Sequence, residues 1–173
     1  SWKGYTELPH TLMEGYLQMA SEAVRQCPEV PTHIMLQAGV GGLAGAVAAY
    51  ARHVWGNAPR VVVVEPEAAP ALQASIEAGK SVVADGPGSI MGRLDCKEPS
   101  LIALNGLARD ADDFMTLTDA EVAAVLDDLA EAGLATSASG ACGLAAVIRD
   151  DARAAVGIGQ NARVLCFLSE GPA

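Results

Sequence analysis

Residues 8–27, LPHTLMEGYLQMASEAVRQC, place Leu12, Tyr16, Met19 and Ala23 at helical spacing, and Pro28 and Pro31 follow at once. The segment predicts an amphipathic helix ended by proline. Residues 32–37 lose that period and run apolar, which predicts a short strand. A turn with three glycines comes next, Gly39-Val40-Gly41-Gly42. Residues 43–55 then resume as a helix of small residues, punctuated by Gly56 and Asn57. Four consecutive valines in RVVVVE, residues 60–65, show no alternation. A strand of that kind is buried on both faces, as in a parallel sheet.

Residues 66–79, PEAAPALQASIEAG, predict a helix with proline near its start, and Val82-Val83 a short extended piece. Residues 84–96, ADGPGSIMGRLDC, are glycine-rich and predict a loop; residues 99–109 predict a helix and 114–117 a strand. Thr118-Asp119-Ala120-Glu121 has the form of a capping box, a hydroxyl followed three residues later by Glu. The helix it opens runs to Ala132 and stops at Gly133. One helix over 139–156 and a last strand over 163–168, ended by Ser169-Glu170-Gly171, complete the chain. Strands thus alternate with helices throughout. The pattern predicts an α/β fold of three layers, a mostly parallel sheet with helices on both faces. Ligands of such sheets bind beyond the carboxyl ends of the strands. Three loops lie there: 39–42, 65–66 and 169–171.

The 173 residues suffice for a single α/β domain, and 51% hydrophobic composition supplies a sizeable core. No uninterrupted apolar run reaches the roughly 20 residues a membrane helix needs. Net charge is −10, which argues against nucleic acid, whose binding leans on Lys and Arg. Cys27, Cys96, Cys142 and Cys166 lie far apart without a C-x-x-C pair, so neither a zinc ribbon nor a disulfide scaffold is expected. Cys142 and Cys166 stand in apolar surroundings and read as small buried hydrophobes. His10, His33 and His53 have no metal-ligand spacing, so no metal is expected. No signal-peptide pattern is present and the first residue is Ser, which predicts a domain of a longer polypeptide; a cytoplasmic location is expected.

The glycine turn is the centre of the functional reading. Between a strand and a helix N-terminus it presents backbone N–H groups and a positive dipole end, both suited to an anion, most often phosphate. Glycine allows close approach and positive φ there. Three readings compete. The turn is a tight connection with no ligand; or it binds a dinucleotide; or it clamps the phosphate of pyridoxal 5′-phosphate. Gly39-Val40-Gly41-Gly42-Leu43-Ala44 satisfies G-x-G-x-x-G/A, and Glu65 ends the next strand, where an acid meets a ribose hydroxyl. A Walker-type loop is excluded, because no Gly-Lys-Ser/Thr follows. Glu65, Ala38 and Glu170 are the residues expected near cofactor or substrate. Glu65 equally reads as a solvated acid capping the next helix, and Ser169 as a turn hydroxyl bonding nearby backbone. Asp110, Asp112 and Asp113 read as a solvated acidic turn. Trp2 and Tyr5 either line a substrate pocket or dock against the helix layer.

Five blocks occur in a telling order: WKGY at 2–5, LMEGYLQMASEAV at 12–24, PTHIMLQAGVGGLAGAV at 31–47, VVVVEP at 61–66 and LSEG at 168–171. Together they resemble the C-terminal half of the diaminopropionate ammonia-lyase family. That family belongs to the tryptophan-synthase-β-like, fold-type II group of pyridoxal-phosphate enzymes. The resemblance spans nearly the whole chain, with WKGY and the 31–47 block its specific parts. It implies that Gly39, Val40, Gly41 and Gly42 bind the cofactor phosphate through backbone N–H groups, and that Ser169 faces the pyridine nitrogen. A neutral hydroxyl there does not hold the ring protonated. The implied activity is α,β-elimination of 2,3-diaminopropionate to pyruvate and ammonia, with a small amino acid as substrate and a homodimer as the working enzyme.

The same resemblance places the Schiff-base lysine and the acidic catalytic residue upstream of this chain. Lys3, Lys80 and Lys97 do not match that lysine, and each reads as solvated. The family also tends to carry Glu where Ala138 stands in TSASGACG, residues 136–143. The expectation is therefore a cofactor-binding domain, residues 1–173, of a longer two-domain enzyme, with no catalytic residue of its own and no elimination activity alone. The competing expectations are a serine or threonine dehydratase-like pyridoxal-phosphate enzyme, a Rossmann-type NAD-binding oxidoreductase domain, and a non-catalytic interaction module.

Overall fold

The computed structural model describes residues 1–172. Four strands form one sheet, all parallel: β1 (His33–Gln37), β2 (Arg60–Pro66), β3 (Asp113–Leu117) and β4 (Val164–Cys166), in the order β3-β2-β1-β4. Ile34 stands beside Val61 and Leu165, and Met35 beside Val62 and Cys166, so β1 is central. Among the described residues seven helices complete the fold: α1 (Glu7–Gln26), α2 (Gly42–Trp55), α3 (Ala71–Ala78), α4 (Leu101–Asp110), α5 (Asp119–Glu131), α6 (Ala138–Ile148) and α7 (Asp150–Ala155). None is long and apolar enough to cross a membrane among the described residues.

The valine run behaves as its lack of alternation predicts. Val61 and Val63 point with Ile34 and Leu36 into a core shared with α1, α2, α3 and α4. Val62 and Val64 point with Met35 to the opposite face, into a core built by α5, α6 and α7. Both faces are covered, because successive strand side chains alternate and every one here is apolar. The three-layer α/β fold is thus the observed one, and the sheet is wholly parallel.

Several boundaries differ from the sequence reading. Helix α3 begins at Ala71 rather than at Pro66, because Pro66 still pairs with Leu117 as the last residue of β2. Pro70 then disfavours a helical Ala69, which delays the first turn. Val82 and Val83 join no strand. The single helix expected over 139–156 is two, broken at Arg149, whose backbone is extended (φ −80°, ψ 126°). Arg149 pairs with Glu121 of α5 and with Asp151, and Asp150 and Asp151 supply the acidic first turn of α7. The last strand is shorter than 163–168, holding only residues 164–166.

The acidic turn is not solvated decoration. Asp112 accepts the N–H of Val61 at 2.7 Å and pairs with Arg52, while Asp113 pairs with Arg60. Asp110 is buried and pairs with Arg109. The Asp112 bond to Val61 and the Asp113 pair with Arg60 fix the start of β3 against β2. Lys97 is not free in solvent either: its ammonium donates to the carbonyls of Ala68 and Pro87 and pairs with Asp95, stapling the 84–97 loop to the end of β2. His33 is buried, its Nε2 3.1 Å from the Val156 carbonyl oxygen. Cys142 is fully buried as expected, whereas Cys166 is only partly so; burial pushes both thiols up to about 12.

The capping box is complete. Thr118 Oγ1 accepts the Glu121 N–H at 3.2 Å, and Glu121 Oε2 accepts the Thr118 N–H at 2.6 Å. Bonds from the Thr118 backbone and hydroxyl hold the Glu121 carboxyl below its usual range. Thr118→Ala removes the hydroxyl cap and is expected to lower stability by about 1 kcal/mol. Urea unfolding checks this: the midpoint falls while the slope stays constant.

Candidate cofactor site

The sheet order decides where a ligand can sit. From β1 the chain passes through α2 to β2 and onward to β3, on one side. Strand β4 lies on the other side of β1. The switch point is therefore the crevice beyond the carboxyl ends of β1 and β4, where doubly wound sheets bind ligands. A cleft of about 300 Å³ is found there. Its walls come from Gln37 through Ala44 after β1, from Ser169 and Glu170 after β4, from Arg93, Leu94 and Cys96 of the long loop, and from Leu12 and Tyr16 of α1.

The structure thus brings Ala38, Gly39, Val40, Gly41, Gly42, Ser169 and Glu170 together in one cleft. Gly41 caps α2 with φ +94°, a left-handed conformation that suits glycine. A Cβ on Gly41 would stand 3.0 Å from Ala103 Cβ and 3.1 Å from Leu72 Cδ1. A Cβ on Gly39 would stand 3.0 Å from the Arg93 carbonyl oxygen and 3.1 Å from Cys96 Sγ. These two glycines let the turn press down on α4 and on the 93–96 loop. The Val40 carbonyl accepts the Ser100 N–H at 2.9 Å. Among the described residues, the N–H groups of Gly39, Gly41, Gly42, Leu43 and Ala44 meet no protein acceptor, as expected at the open end of a helix. Their residues line the cleft with the dipole of the 14-residue α2 behind them, an arrangement suited to an anion.

Sequence reasoning missed four contributors. Gln37 is 3% exposed and hydrogen-bonds Ser169 Oγ at 3.1 Å. Arg93 lines the cleft, its carbonyl oxygen beside Gly39 and its backbone N–H tied to Ser139 Oγ at 3.1 Å. Cys96 lies against Gly39, and burial pushes its thiol up from its usual value. Tyr16 stands 3.7 Å from where a Gly42 Cβ would be. Their distance along the chain hides them. Only the quoted blocks containing Gln37 and Tyr16 carried any signal.

Glu65 is a correction. It is fully buried, does not line the cleft, and gives its two carboxylate oxygens to the N–H groups of Leu72 and Gln73, at 2.7 and 2.8 Å. It does cap a helix, as one reading held, but from inside the protein rather than from solvent. Burial outweighs those two bonds and raises its pKa to about 7. With both oxygens so engaged it is not the free acid a ribose would need. The dinucleotide pattern loses its second half. Trp2 and Tyr5 do not line the cleft: they stack on each other with centroids 4.5 Å apart, Trp2 being 64% exposed. No lysine lines the cleft among the described residues.

The donor set fits a phosphorylated pyridine. Unmet amide N–H groups and a helix N-terminus suit a phosphate at one side of the cleft, and a hydroxyl, Ser169 Oγ, stands at the other.

Comparison with known proteins agrees. The chain is 37% identical over 128 residues to diaminopropionate ammonia-lyase of Escherichia coli (strain K12), covering 71% of this chain and 32% of that protein. Against the Salmonella typhimurium enzyme of that name it is 40% identical over 111 residues, 60% of this chain and 28% of the relative. The crystal structure of the Escherichia coli enzyme with an aminoacrylate-PLP azomethine reaction intermediate superposes with TM-score 0.89 at 30% identity, over 99% of this chain and 48% of that one. Serine racemase from maize shares the fold, with TM-score 0.84 at 23% identity over 93% of this chain and 48% of that one. The chain thus spans about a third of the curated relatives it matches and about half of the solved structures. The family described as pyridoxal-phosphate dependent enzyme matches residues 3–170, and the chain belongs to it.

Proposed function

We propose that this chain is the cofactor-binding domain of an ammonia-lyase that eliminates ammonia from 2,3-diaminopropionate and yields pyruvate. The observation that carries the reading is the single cleft uniting the glycine turn with Ser169 at the β1/β4 switch point. The turn Gly39-Val40-Gly41-Gly42 holds the cofactor phosphate through the N–H groups of Gly39, Gly41 and Gly42, the Val40 N–H being given to Cys96. Ser169 meets the pyridine nitrogen with a neutral hydroxyl, so no charge holds the ring protonated. Ala38 and Glu170 complete the wall on either side. Pyridoxal phosphate supplies the electron sink for breaking the bond to the leaving amine. In this reading the Schiff-base lysine lies outside these residues, supported by the absence of any lysine lining the cleft among the described residues. The full-length protein is proposed to be a cytoplasmic homodimer, the common state of fold-type II enzymes.

Titration with pyridoxamine 5′-phosphate, which needs no lysine, tests the site. Saturable one-to-one binding competed by inorganic phosphate is expected, and NAD is expected not to compete. Failure to saturate, or equal competition by NAD, would overturn the cofactor reading. Borohydride reduction with pyridoxal phosphate tests the lysine: stoichiometric pyridoxyl label on Lys3, Lys80 or Lys97 would contradict an external Schiff base. The substrate is tested by pyruvate release from diaminopropionate, serine and threonine. The 173 residues alone are expected to release none, and the full-length enzyme is expected to favour diaminopropionate.

A further inference from the structure

Gln37 is a buried polar residue at the end of the central strand. Its Nε2 donates to the Phe167 carbonyl at 2.7 Å and to Ser169 Oγ at 3.1 Å, with the Gly140 carbonyl farther off at 3.5 Å. Its Oε1 is buried and meets no donor among the described residues. Gly143 makes the room: a Cβ there would stand 2.8 Å from Oε1. A carbonyl oxygen only accepts, so Phe167 forces the NH2 end of the amide toward β4. The arrangement leaves a buried acceptor unmet, so the amide is oriented for its donors and not for its oxygen.

The second amide hydrogen then determines what Ser169 can do. A hydroxyl has one hydrogen and two lone pairs. With an N–H already directed at its oxygen, the Ser169 hydrogen is left free for an acceptor other than Gln37, and Ser169 lines the cleft. We propose that Gln37 is a positioning residue: it holds Ser169 Oγ as an acceptor, so that Ser169 donates its own hydrogen to the unprotonated ring nitrogen of the bound cofactor. This rests on the cofactor reading above. The chain of donation runs one way, from Gln37 to Ser169 to the ring, and Phe167 O fixes its direction. Nothing in it can give the ring nitrogen a proton to keep.

The test uses the whole chain and pyridoxamine 5′-phosphate carrying 15N in the ring, read by NMR. In the unsubstituted protein the ring nitrogen is expected to be unprotonated and hydrogen-bonded. Gln37→Met keeps length and bulk but removes the donor. It is expected to move the ring signal toward that of Ser169→Ala and to weaken pyridoxamine phosphate about 3- to 10-fold, the worth of one hydrogen bond. Competition by inorganic phosphate is expected to stay within about twofold, because the glycine turn is untouched; a merely structural role would move both. A second reading needs no Gln37 variant: Ser169→Ala is expected to shift one of the two Gln37 side-chain amide protons. If pyridoxamine phosphate binds and Ser169→Ala moves the ring signal while Gln37→Met does not, this inference falls and the cofactor reading stands. An unmoved Gln37 amide in Ser169→Ala would overturn it as well. If the unsubstituted protein binds no pyridoxamine phosphate, both readings fall together.

Discussion

Gly41→Val is expected to lower stability by about 2–5 kcal/mol and to abolish pyridoxamine phosphate binding. Two separate strains add. The φ of +94° costs an L-residue about 1–2 kcal/mol. The new Cβ would lie 3.0 Å from Ala103 Cβ, 3.1 Å from Leu72 Cδ1 and 3.3 Å from Leu107 Cδ1, on buried elements that cannot yield cheaply. Overpacking of this kind costs about 1–3 kcal/mol. Either the turn lifts off α4, carrying its N–H groups away from the phosphate position, or the core under it opens. Gly42→Ala is the control. Its Cβ would meet Tyr16 and Met13 at 3.7 and 3.8 Å, ordinary contact, and its φ is not positive. Stability is expected to change by less than about 1 kcal/mol, since alanine is the better helix former. Chemical denaturation of the two variants decides it: comparable losses would show that the left-handed turn is not the source of the constraint.

Stability is expected to fall as pH rises from about 5 to 8, and Glu65 is the reason. Its folded-state pKa is raised to about 7 from 4.5. Between those values the folded protein binds a proton that the unfolded chain has lost. The contribution is therefore fully present below about 4.5 and lost as pH climbs through about 7. The shift corresponds to something on the order of 3 kcal/mol over that window. The groups held low, Glu121 by its Thr118 bonds and Asp95 by Lys97, are already ionised across it and add no slope. Glu65→Gln keeps the shape but not the titration. It leaves one of the Leu72 and Gln73 N–H groups facing an amide NH2, so it is expected to be less stable at pH 5 by about 1–3 kcal/mol. Its stability is expected to be flat from pH 5 to 8. Thermal unfolding of both proteins across that range measures the slopes directly. An undiminished slope in Glu65→Gln would assign the dependence to another group.

Much of this protein was legible from local pattern. The valine run declared a doubly covered parallel strand, because a strand without alternation has no face to give to water. Thr118 and Glu121 declared a helix start, because a capping box is completed within four residues. The glycine turn declared a left-handed turn from strand to helix with free backbone N–H groups, because strand, glycine and helix are consecutive. The order of five sequence blocks carried the family.

What local pattern could not decide was which loops meet. Residues 65–66 and 169–171 both end strands, and nothing local separates them. Sheet order does: β4 sits beside β1 across the switch point, while β2 sits on the other side, where Glu65 turns inward to cap α3. The same holds for residues far apart in sequence. Arg93 and Cys96 reach the cleft only because the 84–97 loop folds back, stapled by Lys97 to Ala68 and Pro87. Gln37 reads as one polar residue ending an apolar run; its pairing with Ser169, 132 residues away, exists only once β1 and β4 lie side by side. Sequence determined the elements, since their hydrogen bonds close within a few residues. Tertiary structure alone decided the site, since its contacts close across the sheet.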